Sequence, residues 1–184
     1  VGAGPIGSGT AIRLLAAGHT VRVITRSGSG PAGCELVAAD AADAARLAQL
    51  TAGATAVYNC VNPAYYRWAQ DWPPVAAALL AAAQQAGAVL VTVSNVYGYG
   101  PVDHPMRETD PLAATFVKGQ VRATMWREAE AAHDAGRVRV VEARASDYVG
   151  IGSESHLGDR VVPRLLAGKN IKVLGDPDAS HSWT

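Results

Sequence analysis

Two apolar rhythms alternate along this chain. Short runs rich in β-branched residues predict strands at 20–25 (TVRVIT), 35–37, 55–58, 89–93 (VLVTV) and 138–143 (VRVVEA). Alanine- and leucine-rich stretches between them predict helices over about 8–17, 42–50, 72–86 and 117–134. Gly18 and His19 close the first of these, Pro73 and Pro74 stand near the start of the third, and Gly136 ends the fourth. The run at 89–93 is almost wholly apolar, which requires cover on both faces of the sheet. Strands alternating with helices at this spacing predict an α/β fold built on a doubly wound parallel sheet. After residue 143 the rhythm breaks: Gly150, Gly152, Gly158, Gly168 and Gly175 surround one short helix near 159–166. Residues 1–150 are therefore expected to form one domain, and residues 151–184 the start of a small substrate-facing lobe.

Composition narrows the function. The 184 residues carry 16 Lys+Arg against 16 Asp+Glu, which gives no electrostatic reason to expect nucleic acid or an anionic membrane as partner. No apolar run is long enough for a membrane span. Two cysteines make neither a disulfide framework nor a four-ligand metal set, so a reducing, cytoplasmic setting is expected. The histidines show no paired metal spacing, and Glu128 and Glu130 read as surface charge on a long helix. A glycine turn with only Val1 before it, and an end at Ser182-Trp183-Thr184 after a polar turn, read as a fragment lacking most of its first strand. A chain truly starting at Val1 would be expected to fold poorly, because that strand is central in such sheets.

The first chemical signal is Gly2-Ala3-Gly4-Pro5-Ile6-Gly7, a GxGxxG followed by a helix and then a strand. Gly2 permits the tight turn, Gly4 lets backbone approach a pyrophosphate, and Gly7 permits close helix–strand packing. The helix behind it offers free amides and its positive end to phosphate. Arg26 closes the second strand where a ribose-binding carboxylate would otherwise stand. With Ser27 beside it, a guanidinium there suits a 2′-phosphate. NADP is thus the expected cofactor, with NAD as the alternative. Asp40 is read either as an acceptor for the adenine amino group or as a helix N-cap. Cys60, Val61 and Asn62 leave the next strand and are expected to pass under the cofactor, backbone first.

These residues resemble the extended short-chain dehydrogenase/reductase superfamily, in particular its NAD-dependent epimerase/dehydratase family. The resemblance rests on GAGPIG at 2–7, SNVYGYGP at 94–101, Lys118, RASDYVGIG at 144–152 and LGDPDASHSWT at 174–184. It implies a Rossmann-like dinucleotide-binding domain, hydride transfer through a nicotinamide, and a small molecule bearing a carbonyl or alcohol as substrate. It also implies a cofactor contact at Ala145.

In that family a tyrosine handles the hydroxyl proton, a lysine four residues later supports it and holds the ribose, and a Ser or Thr steadies the substrate oxygen. Lys118 matches the lysine, and Ser94, or Thr92 by another register, matches the hydroxyl residue. Ala114 stands where the tyrosine belongs. Three expectations follow. A displaced phenol takes over, with Tyr97 first and Tyr99 or Tyr148 behind it; or Asp147 donates; or the protein is a non-catalytic NADP(H)-binding sensor or scaffold. Lys118 and Arg122 read alternatively as a solvated basic face. The loop carrying Tyr65, Tyr66, Arg67, Trp68 and Trp72 is open to an apolar substrate, to packing against a further lobe, or to the second subunit of a homodimer.

Overall fold

The computed structural model describes residues 1–149, 158, 161–172, 176, 178 and 180–184. Its elements are α1 (Pro5–Ala16), β1 (Arg22–Thr25), β2 (Glu35–Ala38), α2 (Ala44–Thr51), β3 (Ala56–Asn59), α3 (Trp68–Ala86), β4 (Val89–Asn95), α4 (Val117–Asp134), β5 (Arg139–Ala145) and α5 (Val162–Leu166). Strands β1 and β2 pair in parallel, Arg22 opposite Glu35 through Thr25 opposite Ala38. Strands β3 and β4 also pair in parallel, Ala56 opposite Val89 through Asn59 opposite Thr92, and β5 lies on the far side of β4.

Val1 and Gly2 link these two strand groups. The Gly2 amide donates to the Ile24 carbonyl at 2.9 Å, and the Cys60 amide donates to the Val1 carbonyl at 2.9 Å. The order across the molecule is therefore β2, β1, residues 1–2, β3, β4, β5, which is the expected α/β Rossmann-like arrangement. β4 is interior to it, as the apolar run at 89–93 requires.

The core forms where one stripe of α3 meets this sheet. Trp72, Val75, Ala78, Leu79, Ala82 and Ala83 recur at helical spacing and are buried with Leu47 of α2, Ile24, Val57 and Leu90. α3 begins one turn earlier than Pro73 and Pro74 suggest. Trp68 and Trp72 are both buried, and the Trp68 indole donates to the Pro63 carbonyl at 3.1 Å. Burial of two indoles outweighs the missing proline amides. Similarly α1 starts at Pro5, directly after Gly4, since proline is pre-organised for a first helical turn.

A cleft of about 500 Å³ separates β1 from β3 and is lined by Thr20, Val21, Ala54 and Thr55 among others. Its lining runs the length of both strands, from these amino ends to Ile24, Tyr58 and Cys60, and reaches Gly2 and Gly7 of the glycine turn.

The chain divides into two units, Val1–Ala143 and Arg144–Thr184. In the second, Thr184 donates its amide to the Asp147 carbonyl at 2.9 Å and accepts from Val149 at 3.0 Å. The predicted helix near 159–166 is seen as Val162–Leu166. Residues 159 and 160, and Gly150, Gly152 and Gly175, lie outside the described residues. No described helix is long and apolar enough to cross a membrane.

Candidate functional site

The glycine turn is held by close backbone packing. Gly2 has φ +89°, and a Cβ there would sit 2.5 Å from the Cys60 carbonyl oxygen. A Cβ at Gly7 would sit 2.2 Å from the Gly2 carbonyl oxygen. Both positions thus exclude a side chain for steric reasons. Gly4 differs: a Cβ there would meet nothing within 4 Å, so its face is open. Gly4 is the N-cap of α1, which has no side-chain cap, leaving the Ile6 and Gly7 amides of the first turn available. An open glycine face beside uncapped amides at a helix's positive end fits a dinucleotide pyrophosphate.

The remaining expected cofactor residues stand at the carboxyl ends of β1, β2, β3 and β5. The Asn59 carboxamide, itself buried, accepts from the Val61 amide at 3.2 Å and shapes the exit through Cys60, Val61 and Asn62. The Cys60 backbone abuts Gly2, while burial pushes its thiol pKa up. Asp40 is exposed and accepts from the Ala42 amide at 2.9 Å, whereas the N-cap of α2 is Asp43, which accepts from Arg46. Ser27 and Ser29 share a hydroxyl hydrogen bond of 2.7 Å. Arg26 is exposed at the end of β1. Ala145 is the last residue of β5 and belongs to the second unit.

A second cluster follows the carboxyl ends of β3 and β4. Two short 3-10 turns, Tyr65–Arg67 and Val96–Tyr99, carry it. Asn95 accepts from the Tyr97 amide at 3.1 Å and so starts the second turn. The Tyr65 hydroxyl donates to the Tyr97 hydroxyl at 3.1 Å. Lys118 Nζ lies over the Tyr65 ring, 4.1 Å from its centroid. Tyr97 also packs edge-on against Phe116, with ring centroids 6.0 Å apart. Tyr99, by contrast, is buried at 4% exposure. Ser94 is buried as well, and its Oγ has no hydrogen-bond partner among the described residues. Thr92 lies two residues earlier, opposite Asn59.

Lys118 and Arg122 do not form a solvated face. Lys118 is half-buried, and the buried Arg122 guanidinium lies 4.5 Å from the Trp68 ring centroid and 4.3 Å from that of Trp72. Those two tryptophans therefore join α3 to α4, and Tyr66 is left 86% exposed. Ala114 is not on α4 at all. It precedes the N-cap Phe116, and its amide donates to the Gly98 carbonyl at 3.1 Å. Positions 114 and 118 consequently share no helix face. A Cβ at Gly119 would fall 2.4 Å from the Ala114 Cβ and 2.7 Å from the Tyr97 carbonyl oxygen, so Gly119 lets this segment close on α4.

Of the other expected donors, Asp147 accepts from or pairs with His181 at 3.0 Å, and Tyr148 is half-buried in the same unit. The tyrosine pair itself was not legible in the sequence. Tyr65 and Tyr97 stand 32 positions apart, and only an aromatic-rich loop signalled the first of them. Among the described residues no three His, Cys, Asp or Glu side chains gather as a metal site would require.

Fold and glycine turn together define a Rossmann-like dinucleotide-binding fold. The model of the NAD dependent epimerase/dehydratase family matches residues 2–184, and the chain belongs to that family. Its fold is that of UDP-glucose 4-epimerase from Brucella ovis in complex with NAD: TM-score 0.71 at 22% identity, over 80% of this chain and 50% of that one. It is likewise similar to UDP-glucose 4-epimerase from Thermotoga maritima with UDP-glucose: TM-score 0.82 at 18% identity, over 99% and 66%. dTDP-glucose 4,6-dehydratase from Streptomyces venezuelae with NAD bound gives TM-score 0.77 at 24% identity, over 98% and 65%. The chain thus spans between half and two thirds of these relatives. No curated protein matches it.

The expectation of NADP is corrected to NAD. The family is NAD dependent, and the Brucella and Streptomyces structures hold NAD. Arg26 has another electrostatic outlet: the Asp71 carboxyl is held below its usual range first by the Arg67 hydrogen bond, with the Arg26 charge contributing. An arginine near a protein carboxylate does not by itself specify a 2′-phosphate.

Proposed function

We propose that this protein uses NAD to oxidise, and in turn reduce, a hydroxyl-bearing carbon of a nucleotide sugar, as an epimerase or dehydratase. The observation that carries this reading is the Lys118–Tyr65–Tyr97 cluster at the carboxyl ends of β3 and β4, in a chain with an open glycine turn for the cofactor. Bound NAD supplies the hydride acceptor. The residues of the turn, Gly2, Gly4, Pro5, Ile6 and Gly7, hold its pyrophosphate. Cys60, Val61 and Asn62 provide backbone around it, and Ser27 and Asp40 border the adenosine. Tyr97 exchanges the hydroxyl proton with the substrate oxygen, Lys118 supports that exchange and the ribose, and Ser94 steadies the oxygen with its unused hydrogen-bonding capacity.

Nucleotide sugars are favoured because one of these solved relatives, the Thermotoga epimerase, was captured with UDP-glucose. Residues 151–184 are assigned to the start of the substrate-binding lobe. Two free cysteines support a reducing cytoplasmic setting.

The test is NAD binding followed by turnover, with UDP-glucose and dTDP-glucose as probes and reduced-nicotinamide absorbance and product sugar as readouts. Turnover that collapses in Tyr97→Phe and Lys118→Met supports the reading. Tight NAD binding with neither reduction nor sugar conversion favours a non-catalytic NAD-binding role, for which Ala114 is the motive.

A further inference from the structure

We propose that Tyr65 is a positioning residue for proton transfer at Tyr97: its hydroxyl holds the Tyr97 oxygen, and its ring carries the Lys118 ammonium. This rests on the reading of Tyr97 as the proton-exchanging group. Three facts lead to it. The Tyr65 hydroxyl donates to Tyr97 at 3.1 Å. Lys118 Nζ stands 4.1 Å above the Tyr65 ring, so the family's lysine addresses a phenol from a different element than the one holding Ala114. Position 114 is outside α4 and packed at Gly119, so no side chain from it shares a helix face with Lys118.

The chemistry follows from who donates to whom. Bound NAD would take the hydride, with its bonding electron pair, from a substrate carbon whose hydroxyl is oxidised, and Tyr97 would take the proton from its oxygen. Tyr97 accepts that proton only as a phenolate. A hydrogen bond donated by Tyr65 favours the phenolate form, and the ammonium over the Tyr65 ring makes its hydroxyl the stronger donor. On reduction the proton returns from Tyr97 to the substrate oxygen, and the Tyr65 bond again stabilises what remains. Tyr65 is 52% exposed, so the pair can exchange protons with solvent between turnovers.

Among the described residues, the charged groups on the elements that carry or pack on the pair include these. α4 contributes Lys118 and Arg122, the latter held against Trp68 and Trp72. The segment carrying Tyr65 contributes Arg67 and Asp71, which pair with each other at 2.7 Å. Among the described residues, Lys118 is the cation seen in direct contact with the Tyr65 ring.

The experiment is a pH titration of the full chain carrying ring-labelled tyrosine, followed by NMR, with the Tyr97 signal assigned by its loss in Tyr97→Phe. In Tyr65→Phe the ring and its lysine contact remain and only the donated hydrogen bond goes. The Tyr97 midpoint is expected to rise by about one pH unit, a tenfold loss of acidity. Lys118→Met, which leaves both phenols in place, should move it in the same direction. An unchanged Tyr97 midpoint in both variants overturns the proposal. Turnover of UDP-glucose with NAD then separates this from the functional reading. If wild type is inactive but the midpoint shifts, the pair exists and the activity assignment fails. If wild type is active and Tyr65→Phe keeps its kcat–pH profile, Tyr65 is only a wall residue and the proposal falls.

Discussion

The glycine turn and the tyrosine cluster illustrate two ways for a sequence to specify a site. In the turn, Gly2 and Gly7 are fixed by close contacts with each other and with one strand end, Cys60. The cluster draws on Tyr65, Tyr97 and Lys118, brought together by three separate elements. A local steric requirement leaves a motif. A constellation assembled across crossovers leaves only composition, and the same chemistry can move between elements without leaving a trace at the familiar spacing.

Substitutions at glycine test this contrast most severely. Gly7→Ala places a methyl 2.2 Å from a backbone oxygen, which cannot yield as a side chain would. It should cost on the order of 3 kcal/mol in denaturant unfolding and abolish NAD binding. Gly9→Ala, two residues on with nothing within 4 Å, is the control and should be neutral or gain up to about 1 kcal/mol. Equal effects at the two positions would remove the steric argument for the turn.

In the second region Gly119→Ala should destabilise by about 1–3 kcal/mol, against the ordinary helix preference for alanine, because Ala114 and the Tyr97 carbonyl occupy its Cβ space. The Lys118–Tyr65 contact should loosen with it, visible as a change in tyrosine fluorescence. Arg122→Met should cost about 2 kcal/mol, since it keeps much of the volume but loses a desolvated cation between two indoles. A stable variant would show that Trp68 and Trp72 pack without needing the charge.

The smallest effect concerns the loop between Tyr99 and Phe116. His104 lies between Asp103 at 2.9 Å and Asp110 at 3.1 Å. The Asp103 hydrogen bond, then Asp110, holds the imidazole above its ordinary 6.5. Asp103, through His104, and Asp110, through the Arg107 amide first, are both held below the ordinary 3.8. The contact is therefore complete between the carboxylate and imidazole ranges. It is lost as pH rises through the raised His104 value, and also as pH falls through the lowered carboxylate values. An NMR titration of His104 should show its midpoint fall in Asp110→Asn; no movement would mean that the loop carries no such clip.

Much of the fold was legible because it depends on periodicity. Helix α4 lies where the apolar spacing and Gly136 put it, and β4 is interior as its unbroken apolar run required. The start of α3 was misplaced because Pro73 and Pro74 look like a helix entrance, while buried Trp68 and Trp72 extend the helix past them. Arg122 read as surface charge because a buried arginine between aromatic rings has no signature in a single sequence. The cofactor was misjudged at Arg26, where one cation was given a ligand's role although Asp71, 45 positions away, lies within its electrostatic influence.

By itself, then, the sequence determined the strand–helix alternation and the glycine turn, since both follow from short-range sterics and from burial of one face at a fixed period. It also determined that no tyrosine stands four residues before Lys118. Only the tertiary structure decided what takes its place beside that lysine. The Tyr65–Tyr97 pair exists because β3 and β4 run parallel and end together, so the turns that follow them meet at one edge. Contact between residues so far apart depends on that shared strand direction and on close approach at Gly119, neither of which is encoded within reach of any local pattern.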